Sequence, residues 1–487
     1  MCGKDKIGFM PFVGHEAQRK GIDPDMKMMG FNEIVYLLKN LRQVKHTTLN
    51  PYGPGVVRIH MIPPKFSFDK SVPGVIILNG QDILPINISW VILLSCFIDI
   101  LDAYDGAEIN DEDWDLIADR TIADVRKIYR RVDEQTLKDD LWKIIGTLTD
   151  IARGVKPDED IGIISIGSYA RHMKAPHRMD LMISSMAGEN GWNCNQRCLH
   201  CYAAGQKLSA VSELSTHQWK AVIDKCRNAG IPQVTFTGGE PTMRDDLVEL
   251  VEYSRWFVTR LNTNGVRLND DLCGRLYDAS LDSVQITLYS SDPAVHNRLV
   301  GADNWEHTVS GIRSALQANL NVSVNTPLCR NNSDFVSTLR FINQLGVRYV
   351  SCSGLIPTGN AQTEKSIKTQ LTGDELADLL REAFGYCGEN HMEMSFTSPG
   401  WVDEQRLLEI GLPWVPSCGA CLSNMAVAPD GQVIPCQSWL SEDALGNMLT
   451  DPWSKIWNSA ACRKIREESA KMEQICQLRR SGQENTL

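Results

Sequence analysis

The sequence predicts an α/β protein centred on a parallel sheet that curls into a partial (β/α)6 barrel. Three observations predict it. Six short β-branched runs recur between residues 178 and 354. Each is separated from the next by a stretch long enough for a helix. Glycine-rich and polar motifs fall just behind the runs, where sheets of this kind carry their function. The runs are "DLMISSM" at 180–186, "QVTFTGG" at 233–239, "FVTRLNTNG" at 257–265, "DSVQITLYS" at 282–290, "LNVSVNT" at 320–326 and "YVSCSG" at 349–354. Thr216 to Ala229 and Asp334 to Leu345 are two of the intervening helices.

The whole chain is too long for one core. At 487 residues it should hold two or three domains. We divide it into an unassigned segment 1–50, a small domain 51–155, a linker 156–177, the barrel 178–360, a connecting helical segment 361–410 and a C-terminal region 411–487. In the small domain, "VVRIHMI" at 56–62 and "GVIILN" at 74–79 form paired strands after the loop "NPYGPG" at 50–55. Two helices follow. Trp114, Ile117, Ala118, Ile122, Val125 and Ile128 recur every three or four residues, and so do Leu137, Leu141, Ile144, Ile145, Leu148 and Ile151, closing at Gly154.

Composition excludes several classes. There are 49 Lys and Arg against 60 Asp and Glu, a formal charge of -11, so no global attraction to nucleic acid is expected. No run approaches the ~18 apolar residues of a membrane span; "WVILLSCFI" at 90–98 ends at Asp99. The first thirty residues have no signal pattern, so a cytoplasmic protein is expected. In a reducing compartment the 15 cysteines are metal ligands or buried thiols rather than disulfides.

Three of them stand out. "NCNQRCLHCY" at 193–202 puts Cys194, Cys198 and Cys201 in one loop behind the first barrel strand, with Tyr202 next. Structural zinc takes four ligands, commonly as two separated pairs, and here only His200 could complete a shell. An iron-sulfur cluster held by three thiolates keeps one iron open. Both readings start from the same residues.

This stretch resembles the radical S-adenosylmethionine superfamily, whose signature has this cysteine spacing. "TGGEP" at 237–241 resembles the family's motif for the methionine amino group, which implies roles for Gly238, Gly239, Glu240 and Pro241. "NTNG" at 262–265, "ITLYSS" at 286–291 and "IPTGNA" at 356–361 stand where relatives contact ribose, carboxylate and adenine, implying Asn264, Thr287, Ser290 and Gly359, with Tyr202, as cofactor contacts. The resemblance implies a TIM-like partial barrel and a [4Fe-4S] cluster on Cys194, Cys198 and Cys201 that binds S-adenosylmethionine. It also implies reductive cleavage to a 5'-deoxyadenosyl radical, fed by a flavodoxin or ferredoxin-type donor. No general acid or base is singled out.

The C-terminal stretch "CGACLSNMAVAPDGQVIPC" at 418–436, with "ALGNMLTDPWSKIWNS" at 444–459, resembles the superfamily's SPASM or twitch extension, which binds auxiliary clusters. A dense later cysteine run is missing, so one auxiliary cluster is expected. Its implied ligands are Cys418, Cys421 and Cys436, with Cys476 favoured as the fourth over Cys462, which sits in a helical pattern as a packing thiol. The other seven cysteines are assigned to packing.

The small domain, with "DGAEI" at 105–109, resembles the winged-helix-like leader-recognition domain of peptide maturases, where a leader adds as a strand beside the hairpin. The implied function is a peptide maturase that installs a cross-link on a ribosomally made precursor, with a thioether favoured over a carbon-carbon bond or epimerisation. A radical enzyme acting on a protein residue, small molecule or tetrapyrrole side chain, and a non-enzymatic metal-binding chaperone or peptide-binding module, remain alternatives.

Overall fold

The computed structural model describes residues 31–41, 43–49, 57–64, 74–80, 82–104, 109–152, 155, 165–188, 191–398, 402, 404–412, 417–440, 444–471 and 478. The chain divides into two compact units, 1–172 and 173–487. Most of segment 1–50, the loop 50–55, Gly154, residues 156–164 of the linker, the first four residues of "DGAEI" and Cys476 lie outside the described residues.

The first unit runs α1 Phe31–Asn40, β1 Lys45–Leu49, β2 Val57–Ile62, β3 Gly74–Leu78, β4 Asp82–Ile86, α2 Ile88–Leu101, α3 Asp111–Ile128 and α4 Glu134–Ala152. The expected hairpin is present, with Ile59 opposite Leu78, and α3 and α4 bury the predicted stripes. The sheet, however, has four antiparallel strands in the order β1-β2-β3-β4 where two were expected. The expectation also missed α2. Its residues Trp90 to Ile98 are buried on every side, so the segment has no polar face and no 3.6-residue pattern to read. Asn87 marks its start by accepting the Trp90 N–H at 2.9 Å. No helix among the described residues is long and apolar enough to cross a membrane.

The second unit holds the barrel. Its strands are β5 Arg178–Ser184, β6 Gln233–Gly238, β7 Val258–Thr263, β8 Ser283–Thr287, β9 Asn321–Pro327, β10 Tyr349–Ser353, β11 Glu393–Ser398, β12 Asn424–Val427, β13 Gln432–Ile434 and β14 Gly446–Asn447. Helices α5 Thr216–Ala229, α6 Leu247–Tyr253, α7 Asp270–Asp278, α8 Pro293–Val300, α9 Trp305–Gln317, α10 Phe335–Gln344 and α11 Gly373–Glu389 alternate with them, and α12 Ala460–Ala470 closes the tail. The six predicted strands are β5 to β10, and they pair in parallel. The sheet then crosses the boundaries expected at 360 and 410. β11 lies in the segment read as helical, pairs parallel with β10 and buries Met394 and Phe396 in alternation. On the other side β12 pairs parallel with β5, so the cysteine-bearing tail extends the same sheet.

One face of this sheet is apolar. Phe236, Leu261, Val284 and Val322 stand side by side in register and are buried by the intervening helices. The opposite face is polar: Asn262, Gln285 and Ser323 form one row, Thr287, Asn325 and Ser351 the next. Gln285 of β8 donates to Ser351 Oγ of β10 across β9 at 3.1 Å, which a concave face permits. A polar concave face lines the lumen.

The loop behind β5 is strapped from two sides. On one, the N–H groups of Arg197 and Leu199 bond the Val300 and Leu299 carbonyls at the end of α8. On the other, segment 358–366 takes its carbonyls: Asn360 N–H and Nδ2 bond Cys201 O at 2.9 Å and Cys198 O at 3.1 Å, and Ser366 Oγ bonds Leu199 O at 2.9 Å. Gly359 makes this approach possible. Its φ is +58°, and a Cβ there would stand 2.4 Å from Tyr202 O and 2.6 Å from Cys201 O, both backbone atoms.

Two outcomes follow from this packing. Gly359→Ala adds a left-handed penalty of about 1–2 kcal/mol to a backbone collision, so it should lower the urea midpoint of unfolding; an unchanged midpoint would contradict the contact. Burial also holds the imidazoles of His177, His200 and His296 down to about 4. An unfolded histidine takes its proton near 6.5, so the unfolded chain binds protons the folded chain refuses, and stability falls as pH drops from about 6.5 toward about 4. The loss reaches at most about 1.4 kcal/mol per histidine for each pH unit, and urea melts above about pH 5, where carboxylates stay ionised, should show it.

Candidate functional site

The three cysteines of the strapped loop are each half-buried. Burial raises the Cys194 thiol to about 12, with the Glu240 and Cys201 charges adding to it, and burial plus the neighbouring thiols raises Cys198. Protein alone therefore disfavours three thiolates here. A cationic iron centre reverses that balance, because a bound metal is the largest local charge. His200 is engaged elsewhere. Its Nε2 lies 2.8 Å from Thr369 Oγ1, whose own hydrogen goes to Ser366 O at 2.7 Å, so Nε2 is the donor, and Nδ1 is buried without a partner. Among the described residues no three His, Cys, Asp or Glu side chains converge as a single-ion shell requires. A cluster does not require it, since each thiolate holds its own iron.

Hydrogen bonds join this loop to the next two motifs. Cys194 Sγ donates to the Gly239 carbonyl at 3.5 Å, and Asn264 Nδ2 donates to Asn195 Oδ1 at 2.5 Å. Gly238 and Gly239 owe their identity to the end of β5: a Cβ on them would stand 2.2 Å from Ser184 O and 2.6 Å from Ser185 O. Glu240 is 1% exposed with no cationic partner among the described residues. Burial raises its pKa, and four donors oppose this. Oε1 accepts from Thr242 N at 3.0 Å, Thr242 Oγ1 at 2.6 Å and Thr263 Oγ1 at 2.6 Å; Oε2 accepts from Asn264 N at 2.8 Å. Oε2 thus keeps acceptor capacity.

Other predicted contacts have local duties. Pro241 is buried and opens a 3-10 turn. Ser290 Oγ accepts the Asp292 N–H at 3.0 Å, a turn-forming bond, and Thr287 ends β8 on the polar face. Gly359 holds the loop carbonyls. Tyr202 packs with Met182, Met186, Ala426 and Ile434, and its hydroxyl bonds Thr237; burial drives its pKa upward, with the charges of Cys201 and Cys436 adding on either side.

The tail forms a second cysteine group. Hairpin β12–β13 turns at Gly431, φ +88°, and leads to Cys436; the Cys421 N–H bonds Pro435 O at 3.2 Å. Cys421 itself has φ +54°. Cys462, expected to be a packing thiol, lies on α12 and hydrogen-bonds Cys421. Arg466 Nη1 is 3.5 Å from Cys462 Sγ, and the Cys421 thiol and this guanidinium lower the Cys462 pKa, so Cys462 holds the charge of the pair. Ser469 Oγ then bonds Ala420 O at 2.8 Å. Cys462, Arg466 and Ser469, spaced four and three apart on one helix face, were the signal that an apolar-only reading of this helix overlooked.

Comparisons with known proteins agree with this geometry. The Radical SAM superfamily model matches residues 193–342, and the SPASM iron-sulfur cluster-binding domain model matches 418–478. The chain is 28% identical over 286 residues to an AdoMet-dependent heme synthase of Oleidesulfovibrio alaskensis, covering 55% of this chain and 72% of that protein. It is 35% identical over 143 residues to a probable GTP 3',8-cyclase of Thermococcus kodakarensis, covering 29% of this chain and 46% of that protein. Streptococcus suis SuiB bound to its precursor peptide SuiA shares the fold, with a TM-score of 0.55 and 13% identity, over 81% of this chain and 87% of that one. Matching domain models, a three-thiol loop bonded to a glycine-rich turn, and a second cysteine group on the same sheet identify the chain as a radical S-adenosylmethionine enzyme with a C-terminal SPASM iron-sulfur domain.

Proposed function

We propose that the chain modifies a ribosomally made precursor peptide, binding its leader through the first unit and reacting with its core segment in the barrel. The observation that carries this is the extent of the likeness to SuiB. It spans 81% of the chain, a share that residues 173–487 alone cannot supply, so it reaches into the first unit. That unit has an antiparallel sheet with edge strands β1 and β4, and an extended peptide can add to such an edge through backbone bonds. Pro85 lacks an N–H on β4.

The chain's own residues would divide the work. Cys194, Cys198 and Cys201 would hold a [4Fe-4S] cluster, Oε2 of Glu240 and the Gly239 carbonyl offer acceptors for an amine, and Asn264 fixes the loop through Asn195. With S-adenosylmethionine and an electron from a flavodoxin or ferredoxin, that centre supplies a 5'-deoxyadenosyl radical able to take hydrogen from an unreactive carbon. The polar lumen face orients the substrate, and the apolar residues around Tyr202 keep water from the cysteine loop. A cross-link removes two hydrogens, and a thioether is the favoured product: one hydrogen would leave as an atom to the 5'-deoxyadenosyl radical and the other as the thiol proton, with the remaining electron going to an auxiliary cluster held by the tail cysteines. Cys418, Cys421 and Cys436 would hold an auxiliary cluster, with Cys476 as fourth ligand and Cys462, bonded to Cys421, the competing choice. A reducing cytoplasm suits both clusters.

The heme synthase match favours a second reading, in which the substrate is a tetrapyrrole and the first unit recognises no leader. Iron content tests the cluster ligands, and peptide mass decides between the two readings. Anaerobically reconstituted protein should carry about eight irons, falling to about four when Cys194, Cys198 and Cys201 are all replaced by alanine. Loss of auxiliary iron in Cys476→Ala but not Cys462→Ala fixes the fourth ligand, and the reverse replaces it. Co-expression with the short peptides encoded beside the gene should produce a loss of two hydrogens that requires the leader. Unchanged peptide masses, with turnover of a tetrapyrrole, would establish the second reading instead.

A further inference from the structure

The lumen face carries one charged layer that the cysteine loop does not use. Asp180, Thr235 and Arg260 stand in register on β5, β6 and β7, and Arg178 and Gln233 stand together one layer nearer the strand starts. Asp180 is 1% exposed, and its carboxylate is taken by Arg178, with Nε at 2.9 Å and Nη2 at 3.4 Å. Arg260 has no such partner. Its guanidinium feels Asp180 and Asp282 only at a distance and is repelled by Arg178, and no hydrogen bond or ion pair reaches it among the described residues. The Asp282 carboxylate accepts from Thr259 N at 2.7 Å and Thr259 Oγ1 at 3.1 Å. Beside Arg260, Thr235 Oγ1 and Gln233 Nε2 are buried without partners.

Three donor groups are therefore left unmatched on one patch of one face. A half-buried guanidinium whose five N–H groups meet no protein acceptor among the described residues is free to take one from a ligand. Its planar fork fits a carboxylate through two parallel bonds, and the threonine hydroxyl and glutamine amide can complete the shell. Arg260 precedes Asn264 by four residues on the same strand and its exit, which is about 13 Å at about 3.3 Å per residue, so a group held there lies well below the Asn264–Cys194 level.

We propose that Arg260, with Thr235 and Gln233, forms a carboxylate-binding subsite in the barrel that holds an acidic side chain of the peptide segment being modified. The subsite rests on the peptide reading above only for the source of the carboxylate, since a propionate side chain presents the same chemistry.

The test uses full-length, anaerobically reconstituted protein and three probes followed by ligand-observed NMR: N-acetylglutamate α-methylamide, its glutamine analogue and propionate. Saturable binding of the glutamate probe, at least tenfold weaker for the glutamine probe, is expected. Arg260→Gln should abolish the preference, Arg260→Lys should keep part of it, and the near-isosteric Thr235→Val should weaken binding several-fold, each with the iron content and visible spectrum of the parent. Should Arg260→Gln not fold, Thr235→Val and Arg260→Lys still decide. Equal binding of the glutamate and glutamine probes, or unchanged affinity in the Arg260 and Thr235 variants, overturns the subsite. Propionate binding as tightly as the glutamate probe keeps the subsite and counts against a peptide as its source, so the two readings fail separately.

Discussion

A single buried carboxylate that meets no counter-charge among the described residues ties the site together. Glu240 receives two bonds from Thr242, one from Thr263 and one from the Asn264 backbone, so it pins the turn after β6 to the end of β7. Asn264 carries the linkage to Asn195 in the cysteine loop. Each neutral donor offsets part of the desolvation cost, and removing one would leave a charge stranded in the interior. The positions of the cysteine loop, the glycine turn and the third strand are thus one geometric variable.

Electrostatics gives the two cysteine groups opposite characters. In the loop 194–201, burial and mutual repulsion keep the thiols protonated until a cation arrives, which couples charge state to metal loading. In the tail, Arg466 and the Cys421 thiol already stabilise a charged Cys462. Tyr202 and the apolar side chains of Met182, Ala426 and Ile434 occupy the ground between the groups, where a low dielectric makes each charge felt by the other.

The barrel was legible in the sequence because its strands alternate with helices and its motifs follow the strands. Thr216 to Ala229 coincided with α5 to the residue, since Ser215 and Gly230 cap it at both ends. Less could be read where a pattern had no contrast. The helix from Ile88 has no polar face, β1 and β4 are five residues each, and β11 lay in a stretch dominated by helical composition. Within the site, the cysteine loop and glycine turn announced themselves by spacing. Cys462 and Arg260 did not, because their meaning depends on partners on other elements, Cys421 for one and Thr235 for the other, brought close by the helix on the tail and by strand register.

The strap on the cysteine loop has a consequence for biosynthesis. The loop leaves the ribosome at residue 201, yet the asparagine that fixes the Cys198 carbonyl is 162 residues downstream. Until segment 358–366 has emerged and the strands before it have paired, the backbone around the thiols lacks its final curvature. The final geometry around the thiols is therefore set only after segment 358–366 has been made. The nascent polypeptide meanwhile carries reactive sulfur that only a reducing surrounding, or a binding partner, keeps from oxidation.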